Sequence, residues 1–175
     1  MVLIPEEQGD VYPPLLKFEF IYPSLEPFPE MKVVKRYLKD KNFPKPSPIQ
    51  SQCWPPLFAG KDTIGIASTG SGKTLAFLIP GMQKICKANQ LHHEGRSSAK
   101  TGGIPAPKLL VLAPTRELAM QSHAVCIELG GFKSICVFGG MPKYEQKKGL
   151  RDGAEIVIGI PYNIAHRLYH YTYIS

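Results

Sequence analysis

The stretch Ala67-Ser68-Thr69-Gly70-Ser71-Gly72-Lys73-Thr74 decides what fold can be expected of this chain. A short apolar run over residues 62–67 precedes it and predicts a buried strand, and the apolar residues 75–79 that follow are typical of the start of a helix. A strand, a glycine-rich turn, Gly-Lys-Thr and a helix, in this order, form the context of a phosphate-binding loop. A Gly/Ser surface turn is the alternative, but strand, spacing and helix all agree with the loop.

Each residue type in this loop has a physical task. Gly70 and Gly72 permit positive φ angles and let the backbone approach a phosphate. Successive N–H groups and the N-terminus of the helix then attract the anion. Lys73 places a positive charge on the β- and γ-phosphates, and the Thr74 hydroxyl can ligate Mg²⁺. The loop therefore predicts a nucleoside triphosphate site in which Lys73 and Thr74 serve catalysis.

Composition and charge limit the classes of protein. A chain of 175 residues with 43% hydrophobic residues suffices for one domain with a core, and not comfortably for two. No apolar run approaches the roughly 18 residues of a membrane span, and no secretory signal is expected at the N-terminus. Four cysteines without CxxC spacing predict reduced, mostly buried thiols of an intracellular protein. The formal charge of +7 favours an anionic partner.

Two features precede the glycine-rich loop. Residues 1–28, rich in proline, predict an extended arm that packs aromatic side chains onto the domain, and a disordered tail is the alternative for residues 1–17. The aromatic side chains in question are Phe18, Phe20, Tyr22 and Phe28. Residues 30–41 predict a helix with one apolar and one basic face. The basic face is compatible with a solvated surface or with an RNA site.

Residues 42–50 form a proline-stiffened loop that leads into the next helix. Ser47, Pro48 and Gln50 fit the N-cap, N1 and N3 positions of a capping box. An amide such as that of Gln50 can also bond an adenine edge at N6 and N7, a pairing known from DNA readout. Spacing does not decide between these roles, and one side chain can serve both. The helix is expected to reach Phe58 despite Pro55-Pro56.

Strands and helices alternate in the rest of the chain. The expected strands are residues 108–113, 134–138 and 155–160, and the expected helices are residues 75–89, 114–129, 143–150 and 161–169. The first of these strands is a continuous apolar run, which predicts burial on both faces. Residues 90–107 predict a long polar loop, in which His92-His93-Glu94 is a poor metal-site candidate. The alternation predicts an α/β fold, a parallel sheet with helices on both faces, whose ligands gather at the carboxyl ends of the strands.

Four motifs give the chain its resemblance to a family. They are residues 42–50, similar to the Q motif, residues 67–74, similar to motif I, residues 114–119 (Pro-Thr-Arg-Glu-Leu-Ala), similar to motif Ia, and the glycine doublet at residues 139–140. In their order and spacing the chain resembles the first RecA-like domain of DEAD-box ATP-dependent RNA helicases. The resemblance covers about residues 28–168. It implies an incomplete RecA-like P-loop NTPase domain over residues 29–175, which follows the arm of residues 1–28.

The resemblance implies ligands for each motif. A complete family member uses ATP and Mg²⁺ to unwind or remodel RNA. The residues implied to hold ATP are Phe43, Gln50, Ala67, Ser68, Thr69, Gly70, Ser71, Gly72, Lys73 and Thr74, with Thr74 on Mg²⁺. Those implied to hold the backbone of single-stranded RNA are Pro114, Thr115, Arg116, Gly139 and Gly140. Ribonucleoprotein partners and a second RecA-like domain, absent from these 175 residues, are implied as well.

A finer similarity concerns the helix that follows the Q motif. Ile49-Gln50 followed by Trp54-Pro55 resembles a subgroup that includes nuclear ribosome-assembly and splicing helicases. On this resemblance we expect a nuclear or nucleolar location rather than a cytoplasmic one.

The sequence departs from the family pattern in two places. Ile160-Pro161-Tyr162-Asn163 stands where the family has Thr-Pro-Gly-Arg, so a hydroxyl, a flexible glycine and a cation are replaced. No Asp-Glu-Ala-Asp or Ser-Ala-Thr motif follows in the 175 residues, so the chain alone is expected to have little or no ATPase or unwinding activity. We also expect the strand before the glycine-rich loop to have unpaired edges and uncovered apolar faces, and hence low stability or partner dependence.

Two other functions compete with the helicase interpretation. One is a small P-loop kinase or other NTPase, against which residues 114–119 argue. The other is a catalytically inactive helicase relative that binds RNA or protein partners without turnover, which the altered residues 160–163 favour.

Overall fold

A computed structural model describes residues 2–3, 12–93 and 106–165 of the chain. The chain divides into two compact units, residues 1–87 and residues 88–175. The elements that begin in the first unit are the strands β1 (Val2–Leu3) and β2 (Ile64–Gly65), the 3₁₀ helices Phe18–Phe20 and Pro29–Met31, and the helices α1 (Tyr22–Leu25), α2 (Lys32–Asp40), α3 (Pro48–Phe58) and α4 (Lys73–His93). Those of the second unit are β3 (Leu109–Leu112), α5 (Arg116–Leu129), β4 (Ser134–Val137), α6 (Lys143–Arg151), β5 (Ile156–Gly159) and a helical segment over residues 161–165.

The core of the first unit forms around Trp54 of α3. The indole is fully buried, its Nε1 donates to the Leu75 carbonyl oxygen at 3.3 Å, and its ring centroid lies 6.0 Å from that of Phe18. Phe18 and Phe28 are buried as expected, but Phe20 is 58% exposed. Residues 18–25 of the arm are not extended as predicted, because local hydrogen bonds between nearby backbone groups close them into short helical turns.

The strand before the glycine-rich loop differs from the prediction. Only Ile64-Gly65 form β2, which pairs antiparallel with β1. Ile64 is 57% and Ile66 56% exposed, so the prediction of a buried strand is wrong. Burial on both faces requires neighbouring strands and covering helices, and within the described residues β1 is the strand that pairs with β2. The expectation of unpaired edges is therefore wrong for one edge, whereas the apolar side chains are uncovered as expected.

The helices on either side of the loop follow the sequence closely. α3 has Ser47 as its N-cap and Pro48 at its first position, and it continues through Pro55 and Pro56 to Phe58. α4 continues across Pro80 and ends at His93, so residues 90–93 are helical where a loop was predicted. The rest of that predicted loop up to residue 105, with Glu94 of the candidate metal group, lies outside the described residues, as do the side chains of His92 and His93.

The second unit is a three-stranded parallel sheet in the order β3-β5-β4. α5 packs against β4 and β5, and α6 packs against β4. The buried core between these elements contains Val137, Leu150, Val157 and Ile164, with Ile135 packed against it. Alternating strands and helices thus build the parallel α/β arrangement that the sequence predicted.

Burial differs between the central strand and the edge of this sheet. All four residues of β5 are buried, whereas β3 alternates, with Leu110 49% and Leu112 55% exposed. The prediction that the first strand of this unit is buried on both faces is therefore wrong. β3 is an edge strand of the described sheet, and the face that carries Leu110 and Leu112 is open within the described part of the chain.

The four cysteines are free and buried, as predicted. Burial raises the pKa of the Cys53, Cys126 and Cys136 thiols, which keeps them protonated and poorly nucleophilic at neutral pH. None of the helices in the described part of the chain is both long and apolar enough to cross a membrane.

The close approach of β5 to β4 predicts the effect of a single methyl group. A Cβ atom at Gly159 would overlap the Val137 carbonyl oxygen, which accepts from Ile160 N at 3.2 Å. We expect Gly159→Ala to lower the free energy of unfolding by roughly 2–3 kcal/mol, because the backbone of one strand must shift. Gly139→Ala is the control, since its Cβ would meet Asn163 Oδ1 at an ordinary 3.5 Å. Urea denaturation measures both, and equal losses would contradict the prediction.

Partial burial of His123 on α5 predicts a pH dependence of stability. Desolvation, the larger cause, lowers the pKa of His123 from its ordinary 6.5, although a hydrogen bond with the Ser134 backbone opposes the shift. The unfolded chain therefore binds a proton at this position at a higher pH than the folded protein. Stability should fall as the pH drops below about 6.5 and stop falling once the folded imidazole is itself protonated.

The measurement is the urea midpoint of the protein and of His123→Phe between pH 7.5 and pH 5. The other four histidines are common to both proteins, so the difference between the two pH profiles reports His123. Parallel profiles would refute the assignment.

Candidate functional site

The glycine-rich loop of the first unit has the backbone that its sequence predicts. Gly70 has a φ of +74° and Gly72 of +87°, both in the left-handed region, and α4 begins directly afterwards at Lys73. Left-handed angles alternating with ordinary ones turn successive N–H groups toward a common point and create an anion-binding concavity. The positive end of the α4 dipole adds to this attraction.

Lys73 is held by its own loop. Its Nζ donates to the Ala67 carbonyl oxygen at 2.5 Å and to the Ser68 carbonyl oxygen at 2.6 Å. The ammonium charge is thus fixed at the start of α4 rather than spread over a mobile side chain. Two neutral carbonyl partners are weaker partners for a cation than phosphate oxygens would be.

Unsatisfied polar groups test whether a phosphate fits the loop. Ser71 Oγ is buried and, among the described residues, has no hydrogen-bond partner. Thr74, the second residue of α4, is half-buried. Mg²⁺ at such sites keeps several waters and binds phosphate oxygens, for which one hydroxyl is a suitable additional ligand. The residues of the loop therefore fit a triphosphate with its Mg²⁺.

Gln50 connects the start of α3 to the glycine-rich loop. It is 5% exposed, its Oε1 accepts from Ser47 N at 3.0 Å, and its Nε2 donates to the Gly72 carbonyl oxygen at 3.1 Å. A Cβ at Gly72 would lie 2.5 Å from Gln50 Nε2, so a side chain there would have to displace the Gln50 amide as well as adopt a positive φ. The capping role predicted for Gln50 is confirmed, and its adenine role stays a prediction. The Gln50 amide still has a second N–H and a second lone pair on Oε1 with which it could bind adenine.

Phe43 offers an aromatic surface near the start of α3. It is 42% exposed and its ring centroid lies 6.4 Å from that of Tyr37. Beside it is a cavity of about 500 Å³ lined also by Leu38 of α2 and by Phe18 and Tyr22 of the N-terminal arm. Sequence reasoning assigned the arm a packing role and missed that its aromatic residues also line a cavity with Phe43.

In the second unit, residues that follow two different strands come together. Arg116, at the start of α5 after β3, places its guanidinium carbon 4.5 Å from the ring centroid of Phe138 at the end of β4. A Cβ on Gly140, whose φ is +87°, would lie 3.7 Å from Arg116 Nη1. Cation–π contact with Phe138 thus holds the guanidinium beside the glycine doublet. Arg116, Gly139 and Gly140 are exposed, so a ligand can reach all three.

Thr115 and Pro114 belong to the same exposed turn. The Thr115 hydroxyl accepts from Leu118 N at 3.3 Å and so caps α5. This structural task was not part of the sequence interpretation, and it leaves the second lone pair and the O–H of the hydroxyl for a ligand.

The segment that departs from the family pattern also reaches the doublet. A Cβ on Gly139 would lie 3.5 Å from Asn163 Oδ1. Asn163 follows β5, so the carboxyl ends of three strands contribute to one surface, which contains Arg116, Gly140 and Asn163. From the sequence, residues 160–163 were described only by the hydroxyl, glycine and cation that they lack. The structure shows in addition that the side-chain amide of Asn163 lies close to Gly139.

Gln146 of α6 is a residue that sequence reasoning missed. It is 1% exposed, and its Nε2 donates to the Phe138 carbonyl oxygen at 3.1 Å and to the Met141 carbonyl oxygen at 3.4 Å. These two carbonyls flank the glycine doublet on either side, so one amide holds both ends of the turn. A glutamine within a short basic helix carries no sequence signal of such a role.

Comparison with known proteins gives a consistent result. The family model described as DEAD/DEAH box helicase matches residues 47–173. The DEAD-box ATP-dependent RNA helicase 5 of Arabidopsis thaliana is 49% identical over 144 residues, which are 80% of this chain and 26% of that protein. The ATP-dependent RNA helicase DBP2 of Candida albicans is 44% identical over 131 residues, which are 73% of this chain and 22% of that protein. The chain thus spans about a quarter of the length of the curated relatives it matches.

Solved structures support the same fold. The yeast DEAD-box splicing factor Prp28 matches with a TM-score of 0.72 and 26% identity over 99% of this chain and 38% of that chain. The RNA helicase Prp28 of Chaetomium thermophilum, solved bound to ADP, matches with a TM-score of 0.66 and 29% identity over 90% of this chain and 35% of that chain. The predicted RecA-like α/β fold and the resemblance that implied it are confirmed.

The Gln50–Gly72 contact predicts a non-additive pair of substitutions. Gly72→Ala should destabilise the first unit by roughly 2 kcal/mol more than Gly60→Ala, because both positions have positive φ but a Cβ at Gly60 meets nothing within 4 Å. Gln50→Ala should recover part of the Gly72→Ala loss by removing the amide that obstructs the new methyl group. A double-mutant cycle measured by urea denaturation tests this, and strictly additive losses would contradict it.

Proposed function

The chain belongs to the DEAD/DEAH box helicase family, and from this premise we propose that it supplies ATP-binding and RNA-binding surfaces of an ATP-dependent RNA helicase. The observation that carries the proposal is the glycine-rich loop, in which Lys73 is held at the start of α4 and the buried Ser71 hydroxyl has no hydrogen-bond partner within the described residues. Residues 29–175 would form part of one RecA-like domain, preceded by an arm of residues 1–28.

ATP binding uses groups that the loop already holds in place. Lys73 would exchange its two carbonyl partners for β- and γ-phosphate oxygens, and Ser71 Oγ would gain the partner that it lacks among the described residues. Thr74 is the protein ligand proposed for Mg²⁺, which neutralises phosphate charge when bound. The N–H groups of residues 67–72 provide the remaining donors.

Adenine selection falls to Gln50 and Phe43. The second N–H of the Gln50 amide is proposed to donate to adenine N7 and its second lone pair to accept from the N6 amine. Phe43 offers its exposed ring face to the base. Because Gln50 also donates to the Gly72 carbonyl, this side chain would connect the base end of the nucleotide to its phosphate end.

RNA binding is proposed for Pro114, Thr115, Arg116, Gly139 and Gly140. The stacked guanidinium of Arg116 neutralises a backbone phosphate, and the glycines let the main chain approach the next one. Asn163 lies where the family has a cation, so it can donate a hydrogen bond but neutralises no charge. The number of counterions released on binding should be smaller than with an arginine at that position.

Hydrolysis and RNA remodelling are proposed for a whole protein of this family, together with a second RecA-like domain and ribonucleoprotein partners. Phosphoryl transfer requires residues that hold the metal, position water and stabilise the developing charge. The Asp-Glu-Ala-Asp motif is not among these 175 residues, so for them we propose binding without rapid turnover. The similarity of residues 49–55 to the nuclear subgroup supports a nuclear or nucleolar location.

The experiment separates the two surfaces by matched substitutions. Lys73→Ala should weaken binding of a fluorescent ATP analogue at least tenfold in the presence of Mg²⁺, because the cation on the phosphates is lost. Arg116→Ala should weaken binding of a 12-nucleotide single-stranded RNA several-fold and reduce the slope of log K against log salt by about one. Arg151→Ala, on the exposed end of α6, is the arginine control.

Unchanged nucleotide affinity in Lys73→Ala would refute the ATP site. Equal effects of Arg116→Ala and Arg151→Ala on RNA affinity would refute the RNA surface. Rapid RNA-stimulated ATP hydrolysis by the unmodified 175-residue chain would refute the proposal of binding without turnover, and phosphoryl transfer to a small acceptor would favour the kinase alternative.

A further inference from the structure

The helix α2 of the first unit carries a row of positive charges that the proposed function does not use. The four side chains are exposed and follow the spacing i, i+3, i+4 and i+7, and we call them the basic stripe: Lys32, Lys35, Arg36 and Lys39. At this spacing they share one face of the helix and extend about 10 Å along its axis. The buried Val34 and Leu38 anchor the other side of α2, so the basic stripe faces solvent.

The charge of the basic stripe is not paired within the described residues. Residues 32–45 contain six cations and a single carboxylate, that of Asp40. None of the four stripe residues forms an ion pair in the described part of the chain. Lys35 instead places its Nζ 4.8 Å from the ring centroid of Tyr22, in a cation–π contact. Such an excess of one sign attracts a polyanion, whereas alternating charges would not.

The larger cavity of the first unit lies beside the basic stripe. It is the cavity of about 500 Å³ next to Phe43, and it is lined by Lys35 and Lys39 against one carboxylate, that of Glu19. The rings of Tyr22 and Phe43 also line it. Its volume falls in the range of sites for small organic groups. Positive charge and aromatic rings therefore border one cavity that is large enough for a nucleobase.

A smaller cavity of about 50 Å³ continues the positive surface along α2. Lys32 and Lys35 line it against the single carboxylate of Glu26. Tyr22 and Lys35 line both cavities. The two depressions therefore adjoin, and cations outnumber carboxylates in each.

These features favour single-stranded RNA among polyanions. Lysine and arginine side chains neutralise phosphates whatever the sequence, and aromatic rings beside a cationic track stack unpaired bases. A duplex keeps its bases paired and stacked, so it can use the charges of α2 but not the cavity. An acidic peptide offers carboxylates without a planar aromatic group for the cavity.

We propose that the basic stripe and the larger cavity form a second binding site for single-stranded RNA, built from residues other than those around the glycine doublet. One base of the strand enters the cavity and meets Tyr22. Lys35 and Lys39 bind the adjoining phosphates, and the other two cations of the basic stripe bind the phosphates that follow. The choice of RNA as the partner rests on the proposed function, whereas the unpaired positive charge beside the cavity does not.

The test compares two double substitutions in the full 175-residue chain. Lys35→Gln/Lys39→Gln removes two charges beside the cavity, and Lys84→Gln/Lys87→Gln removes two from exposed positions of α4. Fluorescence anisotropy with the 12-nucleotide single-stranded RNA should show at least a fivefold loss of affinity in the first variant and less than twofold in the second. Urea midpoints confirm that both variants are folded. Equal losses of RNA affinity would overturn the inference.

The salt dependence of the same titrations measures the phosphate contacts. Each contact with a single strand contributes about 0.7 to the slope of log K against log salt, so Lys35→Gln/Lys39→Gln should reduce the slope by about 1.4. The α4 variant should leave it unchanged. An unchanged slope in the α2 variant would refute phosphate binding by these lysines. A loss of affinity for polyglutamate as large as that for RNA would assign the surface to an acidic protein and overturn the choice of RNA.

Photocrosslinking of the unmodified chain locates the base. An RNA that contains 4-thiouridine should crosslink to the tryptic peptide of residues 18–32, which contains Tyr22. Absence of this crosslink would overturn the placement of a base in the cavity. Saturating ATP with Mg²⁺ should leave the crosslink in place, although Phe43 also lines the cavity. Its disappearance with ATP would assign the cavity to the nucleotide and overturn the inference.

Arg116→Ala separates this inference from the proposed function. RNA affinity that falls in Arg116→Ala but not in Lys35→Gln/Lys39→Gln would overturn the second site alone. The reverse result would refute the RNA surface at the glycine doublet and support the basic stripe. A chain that binds no RNA would overturn both RNA sites, and the nucleotide titration of Lys73→Ala would still decide the ATP site.

Discussion

The pairing of β5 with both of its neighbours is the constraint on which the second unit depends. β5 is buried along its length, and its last residue, Gly159, lies opposite Leu112 of β3 and Val137 of β4. All three strands therefore end at the same level of the sheet. Arg116, Gly140 and Asn163 are distant in sequence, yet each follows one of these ends within four residues, so the register alone brings them to one surface. Gly159 preserves that register because no side chain fits against the Val137 carbonyl.

A comparable constraint operates in the first unit through one side chain. The N-cap geometry of α3 fixes the backbone of Ser47, which positions the Gln50 amide, and the amide then meets the Gly72 carbonyl 22 residues later. The positive φ of Gly72 and the position of the Gln50 amide both disfavour a Cβ there. Capping and loop conformation are thus two consequences of a single hydrogen-bonded group, which explains how a helix N-terminus can be part of the proposed nucleotide site.

The limits of prediction from sequence follow from the range of the interactions. The capping box and the left-handed glycines are local, within three residues, and they were readable from spacing. The parallel arrangement followed from the alternation of apolar runs and helical patterns. By contrast, the apolar runs around Ile64 and Leu110 indicated a tendency to be buried without indicating which element covers them, and both side chains are exposed. The roles of Gln146 and Phe138 could not be predicted from the sequence for a related reason. Their contacts with the residues around the glycine doublet form only where β4 and the starts of α5 and α6 meet.

The support beneath the glycine doublet also bears on the altered residues 160–163. A cation–π contact holds Arg116 on Phe138, and Gln146 holds the carbonyls of Phe138 and Met141. None of these interactions involves the segment that departs from the family pattern. Replacing an arginine by Asn163 therefore removes charge from the surface without removing the groups that shape the doublet. Different residues supply the shape and the charge of this surface. At the proposed RNA surface, a chain that lacks one cation can therefore keep a doublet whose main chain would still allow the close approach of a phosphate.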